Sequence, residues 1–428
     1  MACRADRTVP LMTEPHAAPG LSRLRWRMYA LLVGAYVLVY FHRMAPGVVA
    51  GELQQAFEAS AAALGGLAAA YFYIYAAMQL PAGVLADTWG TRRTVVAGSI
   101  VAALGAVLFA SAGSLAQATL GRLAIGAGVS VVFVGLMKFN AVWFEGRHYG
   151  KVAGLTLLIG NLGSIAAAGP LAGLLALVGW REVFTAIGGL SLVLAALTWQ
   201  FVRDRPEEAG LAPLHVLPPA AARPHWSKEL AAVLRERRLW PVVLVQFGMI
   251  GGFYAFVGLW AVPLLERAHG LARPAAAAHV TTALAVFALG SLTLGGLSDR
   301  LGRRKPVLVG AVGLYLLACL ALAAAPWTPG GGGHALFAAL GLGAAGLTIT
   351  FPLGRELGPP ALAGMAISVV NSGAFLGTAL MQPLFGALVD RSGGFAAGLW
   401  LLAAGAGLAL AAALACTETR CRNLAAAR

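Results

Sequence analysis

The sequence predicts an all-α membrane protein with twelve transmembrane helices, arranged as two pseudo-symmetric six-helix bundles. Three observations predict this fold class. Hydrophobic residues make up 59% of the 428 residues and charged residues only 11%, whereas a soluble domain carries about 25% charged residues. Apolar runs, each long enough to cross a hydrocarbon core of about 30 Å, recur along the whole chain. A short charged loop between two such runs is repeated about half a chain later.

The apolar runs are twelve in number, and we name them TM1 to TM12 in chain order. Because no water reaches the bilayer core, the backbone must bond within each span, and the spans are therefore helices. The alternation with a period of two that membrane strands show is not seen. The predicted spans cover residues of about 28–49, 62–86, 94–113, 116–139, 152–176, 182–202, 240–264, 276–297, 306–326, 334–354, 364–388 and 395–415.

The net charge of +14 follows the topology of the chain and gives no reason to expect a nucleic-acid partner. With a cytoplasmic N-terminus, 24 Lys and Arg residues fall in cytoplasmic tails and loops and four on the opposite face. This positive-inside bias predicts that both termini are cytoplasmic. Arg outnumbers Lys 27 to 4 and Ala is abundant, as in GC-rich bacterial genomes. We therefore expect a multi-pass protein in the bilayer of the bacterial cytoplasmic (inner) membrane.

A proline-rich hydrophilic stretch divides the twelve spans into six and six. We predict a cytoplasmic N-terminal tail at 1–27, an N-terminal bundle at 28–202, a cytoplasmic linker at 203–238, a C-terminal bundle at 239–416 and a cytoplasmic C-terminal tail at 417–428. The four cysteines have no metal-ligand spacing, so we predict no metal site and no cofactor.

The repeated loop reads GVLADTWGTRR between TM2 and TM3 and GGLSDRLGRRK between TM8 and TM9, with its two acids 212 residues apart. A carboxylate at the end of an apolar helix can pair with Arg or accept hydrogen bonds at a neighbouring helix N-terminus. Such links can form in one gate state and break in the other. The alternative is a turn whose charges only set topology. The predicted gating residues are Asp87, Arg92, Arg93, Asp299, Arg303 and Arg304.

A second repeat relates TM5 to TM11. The segment GLTLLIGN ends at Asn161, and GMAISVVN ends at Asn371, 210 residues later. Duplicated halves of this kind place the substrate near the bilayer midplane at their interface and transport it by rocking. We therefore count Asn161 and Asn371 among the candidate substrate-binding residues.

These patterns resemble the major facilitator superfamily over all twelve spans. The two loops carry its GxxxDxxGxRR pattern, and TM4 carries its RxxxGxG pattern at Arg122, Gly126 and Gly128. The resemblance implies a secondary transporter and no enzyme. It also implies that Arg122 bonds to backbone carbonyls of TM1.

Within that superfamily the chain is most similar to the organophosphate:phosphate antiporters and their sugar-phosphate permease relatives. Arg43 stands where those proteins place a phosphate-binding Arg, Lys138 where they have another basic residue, and RDRPEEAGL follows TM6 as in them. Two positions differ. Tyr254 replaces their second Arg, and Gly160 replaces their His before the TM5 Asn. The resemblance therefore implies an organic anion related to, but other than, a phosphate monoester.

Arg43 is the most informative single residue, because it lies deep inside TM1. Burying its charge in lipid costs at least about 2.5–3.5 kcal/mol, so we expect it to face a water-filled cavity. A guanidinium matches a carboxylate or phosphate with two parallel hydrogen bonds. All 17 acids can be placed in tails, loops or span ends, so a substrate anion is the favoured partner over a protein acid. Glu52 is the nearest acid along the chain.

Two further polar residues of the spans leave alternatives open. Lys138 stands near the cytoplasmic end of TM4, where it could bind substrate or extend to the interface. His42 could carry a coupling proton, although a packing role is favoured for it.

Polar and aromatic residues at helical spacing form the rest of the predicted binding site. They suit an organic anion with an apolar part, although each alone could be ordinary packing. Tyr71, Tyr75 and Gln79 share one face of TM2, and Tyr254 and Trp260 lie in TM7 near glycines that can let the helix bend.

The sequence thus favours secondary transport of a small, anionic molecule by alternating access, by a monomer, with a proton or counter-anion as a possible coupling partner. Two alternatives are a multidrug or metabolite exporter and a non-transporting sensor of the sugar-phosphate permease type. An exporter of cationic drugs would favour an embedded acid, which the spans lack, and the linker is too short for a signalling domain. Substrate identity, direction and coupling mode are left open.

Overall fold

A computed structural model describes residues 19–144, 146–211, 226–359 and 362–424 of the chain. Its regular secondary structure in these ranges is helical. Eleven helices are long and apolar enough to cross a membrane, and the bent pair Ala50–Phe57 and Ala61–Ala77 brings the number to twelve. The predicted fold class is confirmed.

The N-terminal half contains TM1 to TM6. TM1 begins earlier than predicted, inside the expected tail. The helices are TM1 at Pro19–Val48, a short helix at Ala50–Phe57, TM2 at Ala61–Ala77, a helix at Gln79–Ala110 that completes TM2 and forms TM3, TM4 at Leu115–Trp143, TM5 at Gly146–Ala166 and Gly169–Leu174, and TM6 at Trp180–Phe201.

The C-terminal half contains TM7 to TM12, and the linker before it carries a 3₁₀ turn at Pro206–Ala209 and a helix at Trp226–Arg235. The remaining helices are TM7 from Leu239 to His269, TM8 at Arg273–Leu301, TM9 at Lys305–Ala324, TM10 at Gly331–Ala344 and Leu347–Leu357, TM11 at Ala363–Ser392 and TM12 at Ala396–Ala415.

The corner between TM2 and TM3 depends on Gly90. Its φ of 84° lies in the region that side chains with a Cβ rarely adopt. A Cβ at Gly90 would also lie 2.4 Å from a carboxylate oxygen of Asp204. The same carboxylate accepts a hydrogen bond from the Arg92 amide at 2.8 Å, at the start of TM3. Glycine therefore provides both the turn and the space for an acidic cap.

TM7 is an irregular helix at the depth of the predicted site. Two wide π-helical turns, Gln246–Gly251 and Phe256–Trp260, interrupt its α-helical hydrogen bonding. Such turns are rare and often occur at functional sites. The predicted bend of TM7 at its glycines stays a prediction, and the wide turns include Gly248, Gly251 and Gly258.

The two halves meet along TM1 with TM7 and along TM2 with TM11. A Cβ at Gly47 would lie 2.8 Å from the Gly258 carbonyl oxygen, and one at Gly65 would lie 2.6 Å from the Gln382 carbonyl oxygen. Backbone therefore touches backbone across this seam. We call the face that carries Glu52 and Arg273 the outer face, following the charge bias, and both glycine contacts lie between it and the middle of the helices.

Within the N-terminal bundle, TM3 and TM4 approach through facing glycines. A Cβ added to Gly128 would lie 2.4 Å from the Gly98 carbonyl oxygen and 2.4 Å from the Ala102 amide nitrogen. Small residues of this kind allow the close packing that holds helices together in lipid.

We expect Gly128→Ala to lower the melting temperature of the detergent-purified protein, because the added methyl group meets backbone that cannot yield. Overpacking of this kind costs about 1–3 kcal/mol. The matched control is Gly66→Ala, since a Cβ at Gly66 meets nothing within 4 Å. Equal melting temperatures for the two variants would contradict this account of the packing.

Candidate functional site

Arg43 lies at the seam between the two halves, surrounded by aromatic rings from four helices. Its guanidinium carbon lies 4.7 Å from the centre of the Tyr40 ring, 5.5 Å from Tyr75, 5.3 Å from Tyr254 and 5.3 Å from Phe375. TM1, TM2, TM7 and TM11 each contribute one ring. We call these five residues the Arg43 cluster.

The sequence predicts that Arg43 faces a water-filled cavity, but in this structure the residue is buried. The residue is 5% exposed, because the four rings cover the guanidinium. Ring faces attract a cation through their quadrupole, by about 2 kcal/mol or more when the pair is desolvated. The rings therefore take the place of water while leaving the charge of the guanidinium uncompensated.

No carboxylate neutralises Arg43 among the residues that the structure describes. The acid nearest along the chain, Glu52, forms an ion pair with Arg273 at the outer face. Arg273 also lies 3.5 Å from Glu266. A protein acid as the partner of Arg43 was the alternative to a substrate anion, and the described part of the chain supplies none.

Tyr254 is the internal-repeat counterpart of Arg43. The two residues are 211 positions apart, within the range of the repeats in the loops and in TM5 and TM11. Tyr254 is 5% exposed and contacts the guanidinium. A symmetric protein would have the same side chain at these two positions. Here the N-terminal bundle contributes a cation, Arg43, and the C-terminal bundle contributes a phenol, Tyr254.

Two tyrosines of TM1 belong to this site although we did not select them from the sequence. The Tyr36 hydroxyl donates to the Tyr40 hydroxyl at 3.3 Å, and Tyr40 lies against the guanidinium. Tyr36, Tyr40 and Arg43 have the spacing i, i+4 and i+7, which is one helix face. That spacing was the signal in the sequence that could have found them.

The other predicted substrate-binding residues lie at different places and make different contacts. Tyr71 packs on Tyr75 and donates to the Val39 carbonyl at 3.3 Å. Trp260 donates to the Gln382 carbonyl at 3.0 Å and stacks on Phe385, so it packs TM7 on TM11. Lys138 donates to the Ala86 carbonyl at 2.6 Å, toward the end of TM2 that lies opposite the outer face.

Within the described ranges, no hydrogen bond joins the side chains of Asn161, Gln79 or Asn371 to the Arg43 cluster. The Asn161 amide donates to the Leu157 carbonyl of its own helix at 2.9 Å. Gln79 follows the helix break at Met78, and Asn371 is half-buried on TM11.

Arg122 and His42 are fully buried, and Arg122 binds where the resemblance implied. Its guanidinium donates to the His42 carbonyl of TM1 at 2.8 Å and lies 4.9 Å from the Tyr71 ring centre. The His42 imidazole packs near Phe184, and neither of its nitrogens has a hydrogen-bond partner in the described structure. Arg122 thus fixes TM4 against TM1 directly beside Arg43.

The loop between TM8 and TM9 forms a buried ionic network. Arg304 pairs with Glu356 of TM10 at 2.9 Å and with Asp299 at 2.5 Å. Glu356 also accepts a hydrogen bond from Thr419. The side chains of Arg304 and Glu356 are 6% and 4% exposed, whereas Asp299 is 67% exposed, so the pair between Arg304 and Glu356 is the buried core of the network.

An acidic cap is repeated at the start of TM3 and TM9. Asp204, after TM6, accepts from the Arg92 amide, and Glu418, after TM12, accepts from the amides of Arg304 and Lys305 at 3.0 Å each. Burial raises the pKa of the Glu418 carboxyl, but these backbone donors outweigh it and leave the pKa lowered. We did not select Asp204, Glu356 or Glu418 from the sequence.

The structure describes only some of the remaining residues that were predicted to act in gating. The Arg92 guanidinium lies over the Trp199 ring at 4.7 Å. The side chain of Asp87 lies outside the described residues. No ion pair of Arg93 or Arg303 is found within the described ranges. Their gating roles stay predictions.

Polar contacts between the halves lie at the outer face. Besides Glu52 with Arg273, the Arg267 guanidinium donates to Gln54, and the Gly169 amide of TM5 donates to the Thr281 hydroxyl of TM8 at 3.2 Å. The structure therefore joins the two bundles on the side opposite the ionic network of Arg304.

We expect Glu356→Gln to lower the unfolding free energy by about 3–5 kcal/mol, because it leaves the buried Arg304 without its charge partner. Asp299→Asn is the matched control, and its exposed pair should cost at most about 1 kcal/mol. Thermal or denaturant unfolding in detergent measures both. A smaller loss for Glu356→Gln than for Asp299→Asn would refute the assignment of the network's core.

Comparison with known proteins identifies the family. The Major Facilitator Superfamily model matches residues 32–271 and 259–422. A Cupriavidus necator protein whose name gives sulfoacetate as substrate is 25% identical, over 84% of this chain and 86% of its own. An Agrobacterium vitis protein whose name gives tartrate is 25% identical, over 92% and 90%. A bacterial homologue of the human lysosomal transporter Spinster, inward-facing and occupied, superposes with a TM-score of 0.67 at 19% identity, over 91% and 96%.

Proposed function

Because the chain belongs to the Major Facilitator Superfamily, we propose that it is a secondary active transporter that moves a small organic anion across the bacterial cytoplasmic membrane by alternating access. Both termini would lie in the cytoplasm, as the charge bias predicts. The observation that carries the anion assignment is the Arg43 cluster. A guanidinium without a described carboxylate partner lies where both bundles meet, and residues of both bundles touch it.

The chemistry of the cluster favours a carboxylate or sulfonate. The guanidinium offers paired donors to two oxygens, and the tyrosine hydroxyls offer donors to further oxygens of the same molecule. One cation binds one such group, because the counterpart position holds Tyr254 in place of a second positive charge. Sulfoacetate and tartrate, the substrates in the names of two relatives, each carry two anionic groups of this kind, and the guanidinium would bind one of them.

Access to the cluster follows from the position of the gates. The outer face joins the bundles through ionic and hydrogen-bonded contacts, so in this state substrate would have to enter from the opposite, cytoplasmic side. Binding requires the rings over the guanidinium to move aside, since the residue is 5% exposed. Rocking would then expose the cluster to the outside. A proton or counter-anion would complete the cycle, and a monomer contains the whole pathway.

We expect Arg43→Ala to raise the dissociation constant for the transported anion at least about 30-fold, because a buried charge-assisted pair is lost. Arg43→Lys should retain part of the affinity, since it keeps the charge and loses the paired geometry. Thermal-shift titration of purified protein with sulfoacetate, tartrate and related anions finds the ligand, and uptake into proteoliposomes measures transport.

The control is Arg235→Ala, which removes a positive charge from the exposed linker helix and should bind and transport like the parent. If Arg43→Ala binds and transports the stabilising anion normally, the proposed role of Arg43 is wrong.

A further inference from the structure

The outer end of TM11 holds the first turn of TM2, which belongs to the other bundle. One carboxylate oxygen of Asp390 accepts from the Ala61 amide at 2.9 Å, and the other accepts from the Ala62 amide at 2.8 Å. Ser60, the N-cap of TM2, accepts from the Ala63 amide. Two of the amides that the start of TM2 leaves without helical partners are therefore satisfied from across the seam.

A carboxylate is well suited to this position. The first four N–H groups of a helix have no partner within it, and the helix dipole places partial positive charge there. Both oxygens of Asp390 are used, and they bind backbone groups, whose direction is fixed by the helix. This contact therefore requires one relative position of TM11 and TM2, unlike the pair of long side chains in Glu52 and Arg273.

The seam between TM2 and TM11 leads from Asp390 to the binding cluster. Next to the cap, a Cβ on Gly386 would lie 2.2 Å from the Ala61 carbonyl oxygen, so the two backbones touch. Deeper in the membrane, the ring centres of Tyr75 of TM2 and Phe375 of TM11 lie 4.4 Å apart, and both rings contact the Arg43 guanidinium. If TM11 leaves TM2 at the outer face, the cap breaks and the ring pair over Arg43 opens along the same seam.

We propose that Asp390 helps to hold the outer gate closed, by capping TM2 from the opposite bundle, and that its release from Ala61 and Ala62 is a step in opening toward the outside. Asp390 is a positioning residue, since it acts on the position of TM11 and touches neither Arg43 nor the site of the anion. The proposal concerns the gate alone and holds for a substrate of any charge.

The experiment measures the separation of the two bundles at the outer face, without substrate. Spin labels at Ala116, the exposed start of TM4, and Ala396, the exposed start of TM12, are placed in a background whose four cysteines are replaced. Double electron–electron resonance in lipid nanodiscs then gives the fraction of molecules with a long outer distance. Asp390→Asn keeps the shape of the side chain and places an amide group against one of the two donors.

Loss of such a cap is worth about fivefold in an equilibrium, so Asp390→Asn should raise the ratio of outer-open to outer-closed molecules about fivefold. Asp390→Glu should restore part of the closed population. The matched control is Asp204→Asn, which removes a similar cap within one bundle and should leave the outer distance unchanged. An unchanged distance distribution in Asp390→Asn, or an equal change in Asp204→Asn, would overturn the proposal whatever substrate is transported.

Discussion

A guanidinium buried between two helical bundles, with no carboxylate partner among the described residues, is the feature on which the proposed binding site depends. Arg43 is 5% exposed and lies against four aromatic rings. Ring faces offset part of the cost of removing the charge from water, and an anion with two oxygens offsets more, since charge-assisted hydrogen bonds are the stronger interaction. The seam is therefore a place where an anion gains more by binding than a neutral molecule does.

The internal repeat accounts for how the two bundles meet, and one difference between the repeats places a charged residue at their interface. Gly47 and Gly258 are 211 residues apart and touch across the seam, so equivalent positions of TM1 and TM7 meet. The acidic caps on TM3 and TM9 are likewise equivalent. Arg43 and Tyr254 are also 211 residues apart but differ in charge. The proposal of an anionic substrate rests on this difference in charge between two equivalent positions.

The sequence predicted the fold well, because hydropathy and charge bias follow directly from the bilayer. It selected Arg43, Tyr75 and Tyr254 separately as candidate substrate-binding residues, because depth in a span and helical spacing can be read from a linear chain, and the structure brings the three together. It did not predict that Glu52 would pair with Arg273 or that Asp390 would cap TM2. Those contacts join residues that are 221 and 329 positions apart, and they depend on how the bundles are tilted, which no local pattern encodes.

Other differences have local causes. TM1 begins at Pro19 because a helix can continue beyond the membrane through polar residues that hydropathy assigns to a tail. The sequence leaves two roles open for Lys138, substrate binding and a position at the membrane interface. Its hydrogen bond to the Ala86 carbonyl depends on where its long side chain ends, which the sequence does not give. Aromatic rings cover Arg43 in place of the expected water, because ring faces bind cations. From the sequence, each aromatic residue alone could be ordinary packing.

The central claim is that Arg43 binds the transported anion at the seam. A cryo-electron microscopy structure of the protein, determined with a saturating concentration of an anion that raises its melting temperature, tests this claim most directly. If Arg43 binds the anion, density for the anion is expected within hydrogen-bonding distance of the Arg43 guanidinium and next to Tyr254, with the covering rings displaced. Density for the anion elsewhere, with Arg43 paired to a protein carboxylate, would contradict it.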